Sequence, residues 1–322
     1  MTPDSTVVQP PFPLRLTSYF NERFPLYQVA GQFPMFLAAF WFGQSIVGES
    51  PNPSWTLAAG FVALVAYTLM VRCIDDHKDL AHDNEFYPNR VLQRGLITLT
   101  HLKIVGLVCF VASIAISIAI DGGVGRVTMW WTIIFVTNNV VQFVQLKWSS
   151  IGQWLESRRV LLALSVVPFW GFGSVWIAQM GAGAELVSTH VWWLVVTWCV
   201  AALMLEVARK TRTPEDDRPN VVDYTNNASS WTRSLGLNGT VITLVGLSSL
   251  AVALQISMLH VVDANQWWTY LALGVCGLIP VMAAGRFMLR RDRFRVKDVS
   301  ELAAGMWVTG QVVVATALLV VP

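Results

Sequence analysis

Four aspartates stand close together in one short stretch of the sequence, residues 72–83, which reads RCIDDHKDLAHD. If a helix continues through it, Asp76, Asp79 and Asp83 lie on one face with Asp75 beside them, because their spacing follows the helical repeat. Carboxylates crowded in this way repel one another unless a cation neutralises them, and oxygen-only ligands favour Mg²⁺. We therefore predict a magnesium site here, and the alternative is a solvated acidic loop.

A second charged stretch, residues 206–217, reads EVARKTRTPEDD. Glu206 is followed at the third and fourth positions by Arg209 and Lys210, so the three side chains can meet on one helical face. Pro214 is expected to end the helix or to begin a turn. By itself this stretch is compatible with a solvated loop, with an intrahelical ion pair and with a functional site.

The composition of the chain is that of a membrane protein. Hydrophobic residues make up 54% of its 322 residues and charged residues 13%, which is about half the usual charged share of a soluble domain. Long apolar runs recur throughout, each close to the ~20 residues that a helix needs to cross a bilayer. The four cysteines stand singly, without zinc or redox spacing. A secreted disulfide scaffold, a nucleic-acid binder and a disordered regulator are excluded.

Nine apolar segments predict nine transmembrane helices, since helices satisfy their backbone groups within the hydrocarbon. The segments are residues 26–47, 55–72, 104–120, 127–146, 160–178, 190–207, 239–260, 267–288 and 302–321. The predicted fold class is an all-α integral membrane bundle. We expect a cytoplasmic N-terminal segment, 1–25, and a single polytopic domain, 26–322, with functional cytoplasmic loops at about 73–103 and 206–238.

Basic residues are divided unequally between the two sides of these helices. The N-terminal segment and every second loop hold 21 of the 22 lysines and arginines, and the opposite side holds only Arg126. Loops rich in lysine and arginine face the cytoplasm. The N-terminus and both charged stretches are therefore predicted on the cytoplasmic side, and the C-terminus on the opposite side.

The two charged stretches resemble the signatures of the UbiA superfamily of intramembrane prenyltransferases. The first family signature, N-D-x-x-D-x-x-x-D after the second helix, is similar to residues 75–83, with Asp75 in place of asparagine. The R-P-(I/L)-P-S-G segment that follows corresponds to residues 90–95, RVLQRG, which keep the arginine and the glycine. In the second signature, D-x-x-D-x-x-x-D after the sixth helix, Glu206 takes the first position and basic residues follow it.

This resemblance implies a helical bundle whose central cavity opens to the cytoplasm and binds an isoprenyl diphosphate through Mg²⁺. Asp76, Asp79, Asp83 and Glu206 are the catalytic residues that it implies, and the same four with Asp75 are the metal ligands. Basic residues are expected to contact the diphosphate, with Arg209 and Lys210 taking over part of the work of a second metal. The expected diphosphate contacts are Lys78, Arg90, Arg94, Lys147, Arg209, Lys210 and Arg212.

A stripe of amides runs along the fourth apolar segment. Asn138, Gln142 and Gln145 recur at helical spacing, and such a stripe is not expected to face lipid. Hydrogen bonding between helices is the structural interpretation. The functional interpretation is a cavity wall that orients the substrate or a water molecule.

The sequence leaves the reaction itself between alternatives. The first is transfer of the prenyl group to a lipophilic or aromatic acceptor, and the second is intramolecular cyclisation of the same substrate. The spacing Asp75-Asp76-x-x-Asp79 also resembles the D-D-x-x-D motif of soluble terpene synthases. A transporter is the third alternative, and the chain lacks the repeated, broken helices of that class. The expected partners are an isoprenyl diphosphate and the lipid bilayer, without nucleic acid, and oligomeric state, chain length and acceptor stay open.

Overall fold

The computed structural model describes residues 10–144, 150, 154–155, 158–183, 185, 189–211, 231–289 and 296–320. Within these ranges the chain is helical and contains no strand. Its helices, in chain order, are α1 Phe12–Arg23, α2 Leu26–Ile46, α3 Trp55–Lys78, α4 Leu80–Phe86, α5 Leu99–Asp121, α6 Arg126–Val144, α7 Arg159–Ala182, α8 Val191–Arg209, α9 Trp231–Val261, α10 Trp267–Leu289 and α11 Val296–Val320.

Each of the nine predicted apolar segments coincides with a long helix, namely α2, α3 and α5–α11. Within the described part of the chain, seven stretches are long and apolar enough to cross a membrane: Trp55–Lys78, Leu99–Asp121, Val160–Ala182, Val191–Arg209, Ser234–Val261, Trp267–Arg286 and Glu301–Val320. Helices α2 and α6 are outside this set, and both carry several amide side chains. The chain is thus a multi-pass membrane protein, and nine crossings stay a prediction.

The chain divides into two compact units. The first unit comprises Met1–Gly31 and Val62–Ala115, and the second comprises Gln32–Phe61 and Ile116–Pro322. The single polytopic domain expected over residues 26–322 is not tested by this division, because helices such as α3 and α5 contribute residues to both units.

The first unit is built around a small hydrophobic core to which α1 contributes. The buried members of this core are Tyr19, Cys73, Val91, Ile97 and Leu102. Helix α1 lies within the segment expected only as a cytoplasmic N-terminal stretch. Its prolines fall at the N-cap and in the first turn, where the missing N–H does no harm, and it ends just before Pro25.

The second unit contains α6–α11, which pack in sequence, each against the next, among the described residues. Helix α8 also contacts α11, and there the rings of Trp198 and Trp307 meet edge to face with centroids 6.5 Å apart. Trp176 on α7 is fully buried and donates its indole N–H to Ser117 Oγ at 3.3 Å. Large aromatic side chains therefore fill the interior of this unit.

Two glycines let α2 and α7 approach each other closely in the second unit. A Cβ atom on Gly43 would overlap the carbonyl oxygen of Ala178, and one on Gly181 would overlap the carbonyl oxygen of Phe40. Small residues at such crossings allow backbones of membrane helices to touch. The contact between α2 and α7 therefore depends on both positions lacking a side chain.

We expect Gly43→Ala to destabilise the protein by about 1–3 kcal/mol, because an added methyl forces the two backbones apart. Gly173→Ala, on α7 itself, is the matched control, since a Cβ there meets nothing within 4 Å. Both variants are heated in detergent over a range of temperatures. Size exclusion then measures the fraction that stays monodisperse at each temperature. Equal midpoints for the two variants would contradict the close crossing.

Candidate active site

The four aspartates lie where α3 gives way to α4. Helix α3 ends at Lys78, Asp79 forms a turn with φ −89° and ψ 2°, and α4 begins at Leu80. The predicted shared face depends on a helix that continues through this stretch, and the structure has a break at Asp79. The backbone hydrogen bonds nevertheless continue, since Asp79 N–H donates to Asp75 O and Asp83 N–H to Asp79 O, both at 2.8 Å.

The break leaves the four carboxylates in different environments. Asp76 is 1% exposed and Asp83 is 2% exposed, whereas Asp75 and Asp79 are half-buried. Asp76 and Asp83 are therefore both buried, whereas Asp79, which the spacing predicts on the same face, is more exposed. Lys78 pairs with Asp75 through a 3.3 Å contact between Nζ and Oδ1.

Both carboxylate oxygens of Asp76 accept hydrogen bonds from protein donors. Tyr19 donates its hydroxyl to Oδ2 at 2.6 Å, and Arg72 donates to Oδ1 at 3.1 Å. Arg23 donates twice to Oδ1, from Nε at 3.0 Å and from Nη2. Burial raises the pKa of Tyr19, and the Asp76 carboxylate raises this pKa further. The phenol therefore stays neutral and keeps donating to Asp76 at physiological pH.

Only one of the two carboxylate oxygens of Asp83 contacts cationic donors among the described residues. Its Oδ2 accepts a hydrogen bond from Arg90 Nη1 at 2.5 Å and lies 3.5 Å from Arg23 Nη2, so Arg23 bridges Asp76 and Asp83. Its Oδ1 is buried and has no hydrogen-bond partner among the described residues. Buried oxygens without a partner are exceptions in folded proteins, and a carboxylate oxygen of this kind is suited to a cation.

Helix α1 positions much of this cluster. Arg15, Tyr19, Glu22 and Arg23 lie along one face of α1, because their spacing follows the helical repeat. Arg15 donates to Leu96 O at 3.2 Å, and the Glu22 carboxylate accepts the backbone N–H of Val91 at 3.1 and 3.2 Å. One helix therefore anchors the carboxylates and the segment after them.

Sequence reasoning missed Tyr19, Glu22 and Arg23 as parts of this site. In the sequence, Arg23 is one of the basic residues of the N-terminal segment that indicate orientation. Polar residues recur at helical spacing along residues 15–23, and this pattern could have predicted the helix. The prolines before it instead suggest a segment without helix. The contact of Arg72 with Asp76 could also have been predicted, since Arg72 precedes Asp76 by one helical turn.

The segment 90–95 forms a turn beside Asp83. Arg94 N–H donates to Arg90 O at 2.9 Å, and the guanidinium of Arg90 lies 3.8 Å from the ring centroid of Tyr87. Gly95 has φ +71°, a backbone conformation that favours glycine, which explains why this residue is retained. Arg94 is exposed, and Lys78 and Arg90 already pair with carboxylates.

The second charged stretch contains the ion pairs that its spacing allows. Glu206 on α8 accepts from Arg209 Nη2 at 2.7 Å through Oε2 and pairs with Lys210 Nζ through Oε1. Helix α8 ends at Arg209, and Lys210 O accepts the backbone N–H of Trp231 at 3.2 Å. Both oxygens of Glu206 are thus occupied by cations of its own helix end. Arg212 lies outside the described residues, as does most of the predicted loop 206–238.

The amide stripe of α6 turns away from the exposed surface of its helix. Asn138 is buried and Gln142 is half-buried, whereas Val136, Val140 and Phe143 on the same helix are exposed. The Nδ2 atom of Asn138 is buried, with no hydrogen-bond partner in the described ranges. Gln145 and Lys147 lie outside these ranges.

The positions of these side chains determine whether they can hold a divalent cation. Among the described residues no group of three or more histidine, cysteine, aspartate or glutamate side chains is arranged to hold a metal. Mg²⁺ usually takes only one or two carboxylates and completes its shell with water and substrate phosphate. The open Oδ1 of Asp83 fits that requirement. Asp76 does not offer a free oxygen, because protein donors reach both of its oxygens.

The proteins that this chain resembles were found by comparing three-dimensional structures. No family model matches the chain, and no curated protein matches it. The structure of a digeranylgeranylglyceryl phosphate synthase is similar, with 13% identity, a TM-score of 0.62 and coverage of 96% of this chain and 100% of that chain. A UbiA homologue from Aeropyrum pernix K1 has 15% identity and a TM-score of 0.60, with 90% of this chain and 98% of that chain covered.

A third similar structure is that of a UbiA homologue from Archaeoglobus fulgidus bound to GPP and Mg²⁺. It has 13% identity and a TM-score of 0.54, and the match covers 94% of this chain and 100% of that chain. The same homologue has also been solved with DMAPP and Mg²⁺. At these identities the likeness concerns the fold. The chain therefore has the fold of the UbiA homologues, as its two charged stretches predict.

Proposed function

We propose that this protein is an integral membrane enzyme that ionises an isoprenyl diphosphate with Mg²⁺ and transfers the prenyl group to a lipophilic or aromatic acceptor. The buried pair Asp76 and Asp83, surrounded by arginines, is the observation that carries the proposal. Support comes from the fold, since a UbiA homologue of the same fold binds GPP and DMAPP with Mg²⁺.

Breaking the allylic C–O bond leaves a carbocation and a diphosphate whose negative charge must be stabilised. Mg²⁺ supplies part of that stabilisation when it is bound. In our proposal Asp83 and Asp79 would hold it, and Asp75 would orient these ligands. Asp76, whose oxygens are taken by Tyr19, Arg23 and Arg72, keeps the end of α3 in place.

The proposed diphosphate contacts differ in their exposure and in the carboxylates that they already contact. Arg94 is exposed, whereas Lys78 and Arg90 have to share their charge between a carboxylate and a phosphate. Arg209 and Lys210 are proposed as direct cation contacts, and both pair with Glu206 in this structure. Lys147 and Arg212 are also proposed as diphosphate contacts. The amides of α6 and the residue after it are proposed to form a wall of the cavity, namely Asn138, Gln142 and Gln145.

Intramolecular cyclisation is the second candidate, favoured by the spacing Asp75-Asp76-x-x-Asp79. Purified protein is incubated with an isoprenyl diphosphate and Mg²⁺, first without an acceptor and then with a membrane lipid extract. A prenylated lipid or quinone in the second incubation supports transfer. A cyclic hydrocarbon or alcohol in the first identifies a cyclase. Diphosphates of several chain lengths recovered intact from both incubations would contradict the proposed chemistry.

We expect Glu206→Gln to keep the rate of diphosphate release within about threefold of the wild type, because a partly exposed helical ion pair contributes about 0.5 kcal/mol. The glutamine removes the charge and retains the shape of a residue whose two oxygens face Arg209 and Lys210. Single-turnover release of diphosphate at saturating Mg²⁺ measures the effect. A loss of 10²-fold or more would instead assign Glu206 to the metal.

A further inference from the structure

We propose that Arg23 is a tethered counter-cation of the acidic cluster, which has to withdraw from Asp83 before a divalent cation binds at this carboxylate. This inference rests on the proposed function, because it assumes that the cluster takes a divalent cation. It adds a residue of α1 that controls how readily the cation enters.

The position of the Arg23 guanidinium carries the argument. Its Nη2 atom contacts Asp76 Oδ1 and lies 3.5 Å from Asp83 Oδ2, and its Nε donates to Asp76 at 3.0 Å. The Arg23 side chain is 10% exposed, so little water reaches this pair of contacts. Two buried carboxylates that share one neighbour need a cation between them, and Arg23 fills that role.

A divalent cation cannot share this place with the guanidinium. Arg23 already lies 3.5 Å from Oδ2 of the carboxylate whose other oxygen, Oδ1, is open, so both cations compete for the same negative charge. The two positive charges would also repel each other in a poorly hydrated environment. Tight binding of a divalent cation at Asp83 therefore requires the Arg23 side chain to move away.

The local structure allows this withdrawal at moderate cost. When Arg23 leaves, Asp76 still accepts hydrogen bonds from Tyr19 and Arg72, and Asp83 still accepts one from Arg90. Arg23 is the last residue of α1, while Tyr19, one turn earlier, stays anchored in the core. The side chain can therefore turn outward without unfolding α1.

The test compares Arg23→Gln with Arg15→Gln in the full-length protein. Both substitutions remove one positive charge from α1, but Arg15 donates to the backbone carbonyl of Leu96, whereas Arg23 contacts Asp76 and Asp83. Mn²⁺ replaces Mg²⁺ as the probe, because electron paramagnetic resonance counts the free ion directly without any substrate. We expect Arg23→Gln to bind Mn²⁺ at least tenfold more tightly than the wild type, and Arg15→Gln to bind it as the wild type does.

Two further variants make the result decisive. Adding Asp83→Asn to Arg23→Gln should remove the gain, which shows that the ion binds at this cluster. If Arg23→Gln does not yield folded protein, Arg23→Lys is measured instead. Its single ammonium cannot bridge two carboxylates as a guanidinium does, so we expect at least threefold tighter Mn²⁺ binding. An affinity no higher than that of Arg15→Gln, for whichever variant folds, overturns the role of Arg23.

Failure of the proposed function would give a different result. In that case neither the wild type nor any variant binds Mn²⁺ at millimolar concentration, even with inorganic diphosphate present, and the metal assignment is lost together with this inference. If the wild type binds Mn²⁺ and Arg23→Gln binds it no more tightly, only the role of Arg23 is refuted.

Discussion

Asp83→Asn is expected to lower the rate of diphosphate release from an isoprenyl diphosphate by at least about 10²-fold, the effect of removing one stabilising group from a transition state. Asparagine keeps the shape of the side chain and can still accept the hydrogen bond of Arg90. It lacks the charge that, in our proposal, holds a cation at Asp83, whose Oδ1 atom is open. Single-turnover kinetics with saturating substrate measure the change.

Asp75→Asn is the matched control, since it removes the same charge one residue from Asp76. Asp75 is half-buried and pairs with Lys78 in the adjoining turn, and such pairs contribute at most about 1 kcal/mol. We therefore expect its rate to stay within about fivefold of the wild type. If Asp83→Asn and Asp79→Asn both retain near-normal turnover in folded protein, this cluster is not the active site.

Asp83 is a cleaner probe of chemistry than Asp76. Both carboxylates are almost completely buried, but donors from Tyr19, Arg23 and Arg72 take both oxygens of Asp76, whereas Asp83 keeps one open oxygen. Removing one partner of a buried pair leaves an uncompensated charge and destabilises the fold. A lost rate in Asp76→Asn would therefore combine a folding defect with a catalytic one, so that variant also needs a measurement of stability.

The helices were predictable because each had to hide its backbone from lipid. Each apolar segment coincides with a long helix over its described residues, and the fold is similar to that of the UbiA homologues. Helix α1 was not predicted, since it is short, begins at prolines and carries no long apolar run. Its stability comes from packing Tyr19 into the core of the first unit, and packing of that kind is not visible as a local pattern.

The candidate site was predictable where its geometry is local and unpredictable where it is not. The spacing of Asp76, Asp79 and Asp83 predicts one shared face, and two of the three, Asp76 and Asp83, are buried together. The spacing of Glu206, Arg209 and Lys210 predicts their ion pairs. The break at Asp79 interrupts the continuous helix that this spacing suggests. Tyr19 and Arg23 reach Asp76 across 57 and 53 residues, and no periodicity connects positions so far apart.

Removal of Mg²⁺ is expected to abolish turnover completely, and the charges of the cluster give the reason. Asp75, Asp76, Asp79 and Asp83 are matched in charge by four cations of the same unit that pair with members of the cluster. These cations are Arg23, Arg72, Lys78 and Arg90. The eight groups together carry no net charge, so they offer a multiply charged diphosphate little attraction unless a metal adds its own.

The measurement is the rate of diphosphate release in EDTA and after excess Mg²⁺ is restored, with EDTA already saturated by Mg²⁺ as the control for the chelator itself. Activity should disappear, and it should return fully in protein that keeps its size-exclusion profile. Undiminished turnover in EDTA would show that Arg23, Arg72 and Arg90 suffice for the leaving group. The same titration separates the roles of metal and arginine, because Arg23→Gln should reach half its maximal rate at a lower Mg²⁺ concentration than Arg15→Gln.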